Sequence, residues 1–246
     1  EDRMSFSQEV KEELSRHIPG ARHCQLAELA ALVSFLCKLT TKGKETALIL
    51  ETESPLIARK YFTLLNKTLS IYKDEKVITD QQALELLTAL KMWRESAKGE
   101  VVCRLDAVDG ILLQQTCCKR AFIRGAFLAA GSISDPRKAY HLEIVCRTSP
   151  QARQLRDVMN TFDAEAKIVE RKGHYVVYVK EGSRIVDMLG VMGASVALMN
   201  LENVRILKEM RNSVNRKVNC ETANIGKTVN AAVRQVDDIQ LIQRKI

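Results

Sequence analysis

Several familiar patterns are missing from this sequence, and each absence closes off a class of protein. No apolar run is long enough to span a bilayer, and no secretory leader pattern stands near the start, so the expected setting is away from membranes. There is no glycine-rich phosphate loop and no G-x-G-x-x-G, which removes the common nucleotide-binding signatures. The seven cysteines are odd in number and none forms C-x-x-C. Neighbours such as Cys117 and Cys118 rarely bond to each other, so the thiols read as small hydrophobes in a reducing, cytoplasmic compartment. His23-Cys24 and Cys117-Cys118 would make a zinc site only if the fold joined them. Without C-x2-C spacing, neither a metal nor a cofactor is expected. The four histidines, His17, His23, His141 and His174, are scattered.

What is present is room for a core and an excess of positive charge. The 246 residues suit one large domain or two small ones, and an apolar share of 46% is ordinary for a packed protein. The net charge of +8 leans towards a polyanion partner, DNA or RNA, although plain globular proteins also carry such a charge. Met4 reads as the native start, with Glu1, Asp2 and Arg3 as an appended remnant.

One stretch organises the rest. Phe122 to Ile133 is apolar and rich in small residues, and it has a weaker echo at Leu29 to Leu39. The proline turn at Glu51–Pro55 likewise echoes Cys146–Pro150. Each echo sits among the same predicted elements: helix, strand, helix, more strand, final helix. The spacing between the two copies grows by seven residues before the last helices, Leu87 against Leu189, so a strand of the first unit is expected to be trimmed or missing. A duplicated unit of this kind packs as a pseudo-dimer, with the small residues Ala30, Ala31, Gly125, Ala126 and Ala129 letting the two equivalent helices touch.

Other segments are predicted singly. Met4 to His17 is a helix with Ser7 as N-cap, Asp80 to Trp93 another, and Lys167 to Lys180 a hairpin turning at Lys172-Gly173. Val101 to Leu105 remains open between helix and strand. Ser195 to Met210 is a helix, and a separate amphipathic helix follows from about Glu221. The basic, Asn-rich stretch from Arg205 to Lys217 is expected between them.

These residues carry a family likeness. Ile123 to Gly131 resembles the LAGLIDADG motif of homing endonucleases, with Leu29 to Cys37 as its second copy. Met4-Ser-Phe, Cys117 to Ser132, Tyr140-His-Leu-Glu143 and Met210 to Asn224 resemble the WhiA family of bacterial regulators of sporulation and cell division. The resemblance implies an α+β fold, a duplicated LAGLIDADG-like pseudo-dimer with a trimmed first unit and a C-terminal linker helix. The expected division is 4–99, 100–210 and 211–246. It also implies a cytoplasmic, nucleoid-associated protein that binds double-stranded DNA mainly through a helix-turn-helix, which the chain is expected to lack.

The endonucleases of that fold hold a metal with the last acid of each motif. Here Leu36 and Ala130 stand at those positions, and Ser34 and Leu128 at the other acidic ones, so no nuclease is expected. Candidate DNA contacts are Lys167, Arg171, Lys172 and Lys180 on the hairpin, and Arg205, Lys208, Arg211, Arg216 and Lys217 further on. Contacts of this type would be phosphate-directed and salt-sensitive. The competing reading is a protein-interaction scaffold that docks a partner on the apolar last helix.

Overall fold

The computed structural model describes residues 4–42, 45–72, 75–95 and 101–244. The turn that the sequence suggests at Thr41–Lys44, the break it suggests at Lys98-Gly99 and the first three residues fall wholly or partly outside them.

Helix α1 (Phe6–Arg16) opens the fold. Its N-cap is Ser5, not Ser7. Ser5 is extended, its hydroxyl accepts from the Gln8 N–H, and the Gln8 side chain reaches back to the Ser5 N–H in a capping box. Ser7 already lies inside the first turn, where its hydroxyl accepts from the Ile133 N–H instead. Helix α2 (Arg22–Leu36) is buried at every residue from Cys24 to Leu36 except Leu26. A helix apolar all round belongs in a core rather than on a surface.

From α2 the chain runs through β1 (Cys37–Lys42) and β2 (Glu45–Leu50) to α3 (Pro55–Leu69), β3 (Val77–Thr79) and α4 (Asp80–Ala89). The helix expected to reach Trp93 stops at Ala89. Lys91 takes a left-handed φ of 57°, and Trp93 begins β4 (Trp93–Glu95). The open stretch resolves into β5 (Val101–Cys103), antiparallel to β4.

The second copy follows: α5 (Thr116–Ala130), β6 (Gly131–Ile133), β7 (Leu142–Cys146), α6 (Ser149–Asn160), β8 (Lys167–Arg171), β9 (His174–Val179) and α7 (Gly182–Met192). Its antiparallel sheet has the order β6-β7-β9-β8, and the first has β1-β2-β3. Strands β1, β2 and β3 therefore answer to β6, β7 and β9. Among the described residues nothing answers to β8, which is the missing strand that the spacing implied. The β8–β9 turn is Lys172-Gly173 with φ of 49° and 75°. Positive φ at both positions matches the right-handed twist of a tight hairpin.

By compactness the chain divides into Glu1–Leu201 and Glu202–Ile246. The first contains both copies on one continuous apolar core that includes Leu29, Leu32, Val33, Phe122, Ile123 and Phe127. The second is carried by α8 (Ser195–Gln243), whose start lies in the first unit. There the Glu13 carboxylate accepts from the Val196 and Ala197 N–H groups at 2.9 and 3.0 Å, capping the helix from α1. Helix α8 corrects the expectation of two helices with a basic joint. Over its 49 residues there is no proline, and Gly226 alone weakens helix propensity strongly. Ion pairs one turn apart, Arg205 with Glu202 and Glu209, support the stretch that reads as a joint. No helix among the described residues is long and apolar enough to cross a membrane.

Candidate functional site

The centre of the first unit is the contact between α2 and α5. A Cβ placed on Gly125 would stand 2.7 Å from the Glu28 carbonyl oxygen and 2.8 Å from the Ala31 Cβ. Ala31 and Gly125 are equivalent in the repeat, so the two helices touch at matching positions, as a local two-fold requires. Ala30 and Ala126 are fully buried beside them, while Ala129 is half-buried.

Beneath this contact lies a charged group that sequence reading missed. Glu28 is fully buried, and its carboxylate receives Lys60 Nζ at 2.6 Å and the Arg124 guanidinium at 2.9 and 3.0 Å. Lys60 also donates to the Leu14 and His17 carbonyls at 2.7 and 2.6 Å, and Arg124 to the Met192 carbonyl at 2.9 Å. One carboxylate thus ties α1, α2, α3, α5 and the end of α7 together. Burial pulls the Lys60 ammonium below its usual range, with Glu28 opposing that effect. Burial, Arg124 and Lys60 also hold the His17 imidazole below its usual value, with Glu28 pulling the other way.

The sign of the His17 effect sets an expectation. As pH falls through about 6.5, the unfolded chain takes up a proton that folded His17 resists, so stability falls with pH. Urea midpoints measured between pH 7.5 and 5.5 should decline, and His17→Gln should flatten that part of the profile.

At the C-terminal ends of the paired helices stand Leu36, buried, and Ala130, half-buried. Neither offers an oxygen ligand, so a hard cation does not fit here through side chains at these positions. The Ser34 hydroxyl donates to the Leu105 carbonyl at 2.6 Å and accepts from Gln151 Nε2 at 2.9 Å. Leu128 is fully buried in the core. Arg147, just past β7, donates to the Cys37 carbonyl at 3.3 Å and pairs with Glu51 at 3.0 Å, joining the two sheets.

The hairpin places Lys167, Arg171, Lys172 and Lys180 in solvent. Lys167 and Arg171 share the outer face with Tyr178, because Ile144, Val177 and Val179 alternate inwards and are buried. Val176, on the same face as Tyr178, is nonetheless buried in a cross-strand row with Val145 and Val169. Lys180 Nζ lies 5.2 Å from the Tyr178 ring centroid. The same face carries Glu143, which meets His141 at 2.9 Å, Ser132 at 3.3 Å and Arg171 at 3.8 Å. Arg171 is therefore partly neutralised.

On α8, with about 100° between successive residues, Arg205, Lys208 and Arg216 fall on one side, and Arg211 lies at its border, about 20° from Val218. Leu207, Met210, Val214 and Val218 fall on the other, exposed, and Lys217 projects among them. Arg205 is engaged by Glu202 and Glu209, each at 2.6 Å.

The fold brings together one further group. His23, Cys24, Cys117 and Cys118 stand in the first turns of α2 and α5, with their ligand atoms all within 4.8 Å of one another. His23 Nδ1 is 3.2 Å from Cys118 Sγ, 3.3 Å from Cys24 Sγ and 3.9 Å from Cys117 Sγ. Burial, with the neighbouring thiols, pushes the Cys24 thiol up to about 12, and burial also raises Cys118. The sequence expectation of unconnected thiols does not describe this corner.

Comparison with known proteins gives three family matches: the WhiA N-terminal LAGLIDADG-like domain over residues 22–84, the WhiA LAGLIDADG-like domain over 119–211, and the WhiA C-terminal HTH domain over 214–246. The last overturns the expectation that the chain lacks the helix-turn-helix segment. The segment lies within the expected linker, 211–246, where no pair of helices with a tight turn stands out in the sequence, and the structure carries it to Gln243 within α8. A "Probable cell division protein WhiA" from Lachnoclostridium phytofermentans is 51% identical, covering 99% of this chain and 82% of the relative. The crystal structure of full-length DUF199/WhiA from Thermatoga maritima matches with a TM-score of 0.67 at 25% identity, over 99% of this chain and 81% of that one. A mesophilic variant of the homing endonuclease I-DmoI shares the fold, with a TM-score of 0.50 at 16% identity over 70% of this chain and 96% of that one.

Proposed function

The chain belongs to the WhiA family, and from that premise we propose that it is a DNA-binding regulator of bacterial cell division whose endonuclease-like unit holds DNA without cutting it. The observation that carries the reading is the pair of motif helices. They keep the close approach at Gly125 and Ala31 but end in Leu36 and Ala130, the positions to which the resemblance assigns the metal-binding acids of the endonucleases. Apolar side chains at those positions cannot hold a metal that would clamp the attacking and leaving oxygens of a phosphodiester.

DNA contact is assigned to two basic surfaces. One is the outer face of the β8–β9 hairpin, through Lys167, Lys172, Lys180 and, less strongly, Arg171. The other is the basic side of α8, chiefly Lys208 and Arg216, with Arg211 at its border, next to and within the segment that matches the HTH domain. Both are backbone-directed sets, which position DNA without reading bases. The protein acts at the nucleoid, and regulation of sporulation belongs to the same reading through the family resemblance.

Anisotropy of a labelled duplex tests this. Binding should fall steeply as salt rises. The double substitution Lys208→Glu with Arg211→Glu should weaken it and shallow the log–log salt slope by about 2, one for each lost phosphate contact. An unchanged slope would remove α8 from the interface. The exposed apolar side of α8 favours a second reading, a docking scaffold for another protein. No binding even at low salt would decide for it.

A further inference from the structure

We propose that His23, Cys24, Cys117 and Cys118 form a structural zinc site that pins together the first turns of α2 and α5. A tetrahedral zinc ion with Zn–S of about 2.3 Å and Zn–N of about 2.0–2.1 Å separates its ligand atoms by about 3.6–3.8 Å. The three His23 Nδ1 to Sγ distances, 3.2, 3.3 and 3.9 Å, scatter around that edge length. All four ligand atoms lie within 4.8 Å of one another without any rearrangement of the backbone.

The donor set selects the metal. Three thiolates and an imidazole are soft and borderline ligands that suit zinc and disfavour magnesium or calcium. Four protein ligands close the coordination sphere, so the site is structural and leaves no place for a reacting water. It is also distinct from the metal position of the endonuclease fold. That position lies at the other ends of these helices, about 20 Å away along a 15-residue helix.

Two further features fit an anionic zinc–thiolate centre. Three thiolates around a divalent ion leave one net negative charge, which two converging helix N-termini favour. Neither helix has a side-chain N-cap: Ala21 and Gln115 make no capping hydrogen bond. Below the cluster, Cys24 and Cys118 pack with Ala27 and Ala121 in a small apolar patch separate from the main core. That patch is too small to hold the helix ends together strongly, and a metal cross-link would supply what it lacks.

The repeat explains why no C-x2-C spacing announces the site. His23-Cys24 stands before Leu29 just as Cys117-Cys118 stands before Ile123, so each half contributes two adjacent ligands.

The test uses the whole reduced chain, titrated with Zn²⁺ against a chromophoric chelator and separately with Co²⁺. The expected results are one Zn²⁺ per chain, an intense visible Co²⁺ spectrum of tetrahedral thiolate type, and a Tm higher by about 5–10 °C in excess Zn²⁺. Cys24→Ser with Cys118→Ser should weaken binding at least about 100-fold, since losing two direct ligands exceeds losing their supporting hydrogen bonds. Cys220→Ser should change nothing. Because the double variant removes buried groups, His23→Ala at the surface is the second arm, and it should fold and still bind more weakly. Equal affinity in all variants, or a pale octahedral Co²⁺ spectrum, would overturn the proposal.

Discussion

Replacing Glu28 with alanine should destabilise the first unit by about 3–5 kcal/mol, the cost of leaving buried charge without its counter-ion. Glu28 is fully buried, and Lys60 and Arg124 are nearly so, with side chains 1% and 5% exposed. Removing the carboxylate leaves two cations side by side with only the carbonyls of Leu14, His17 and Met192 to solvate them. For a domain of this size the loss corresponds to a fall in Tm of roughly 10 °C. The control is Lys60→Met. It leaves Glu28 paired with Arg124 at 2.9 and 3.0 Å and puts an apolar chain of similar length in place of an ammonium that burial already disfavours. It should cost distinctly less than Glu28→Ala. Urea unfolding followed by circular dichroism ranks the two. Equal losses would mean that the trio acts as one unit rather than through its single anion.

Substituting Gly125 should be the next most damaging change, and its sign reverses at another glycine. Alanine in a helix normally gains about 1 kcal/mol over glycine. At Gly125 the new Cβ would stand 2.7 Å from the Glu28 carbonyl oxygen, a backbone atom that cannot step aside without moving α2. Overpacking of that kind costs about 1–3 kcal/mol, so Gly125→Ala should be a net loss and Gly125→Val a larger one. Gly226 in α8 has nothing within 4 Å of its added Cβ, and Gly226→Ala should raise helix content. Thermal melts of the two alanine variants, side by side, separate steric closeness from propensity. A stabilised Gly125→Ala would contradict the close approach of α2 and α5.

How far the sequence carried the fold can be judged residue by residue. The repeat showed the duplicated unit, and the seven-residue growth in spacing pointed to the strand that has no counterpart before Val77 among the described residues. Lys172-Gly173 showed the hairpin, because only particular residues take positive φ at both turn positions. Local rules failed where a weak signal was read as a boundary. The asparagines near Arg211 suggested a joint, yet with no proline to interrupt it α8 runs through them. The segment that matches the helix-turn-helix domain lies along that one helix, without the pair of helices and tight turn that would mark it in the sequence. The Glu28–Lys60–Arg124 group was invisible for another reason. Its members lie on three helices, and nothing in the sequence around each one marks it as buried. The His23–Cys24–Cys117–Cys118 corner did have a signal, the equal placement of both pairs before the two motif copies, but only the fold shows that these helix starts meet.

The central claim is that the paired helices keep the packing of an endonuclease fold and have lost its chemistry. The most direct measurement is incubation of the chain with supercoiled plasmid in Mg²⁺ or Mn²⁺, read on one gel for retardation and for nicking. The account expects retardation that fades as salt is added, with no nicked or linear product at any metal concentration. Metal-dependent nicking that tracks the purified chain would contradict it.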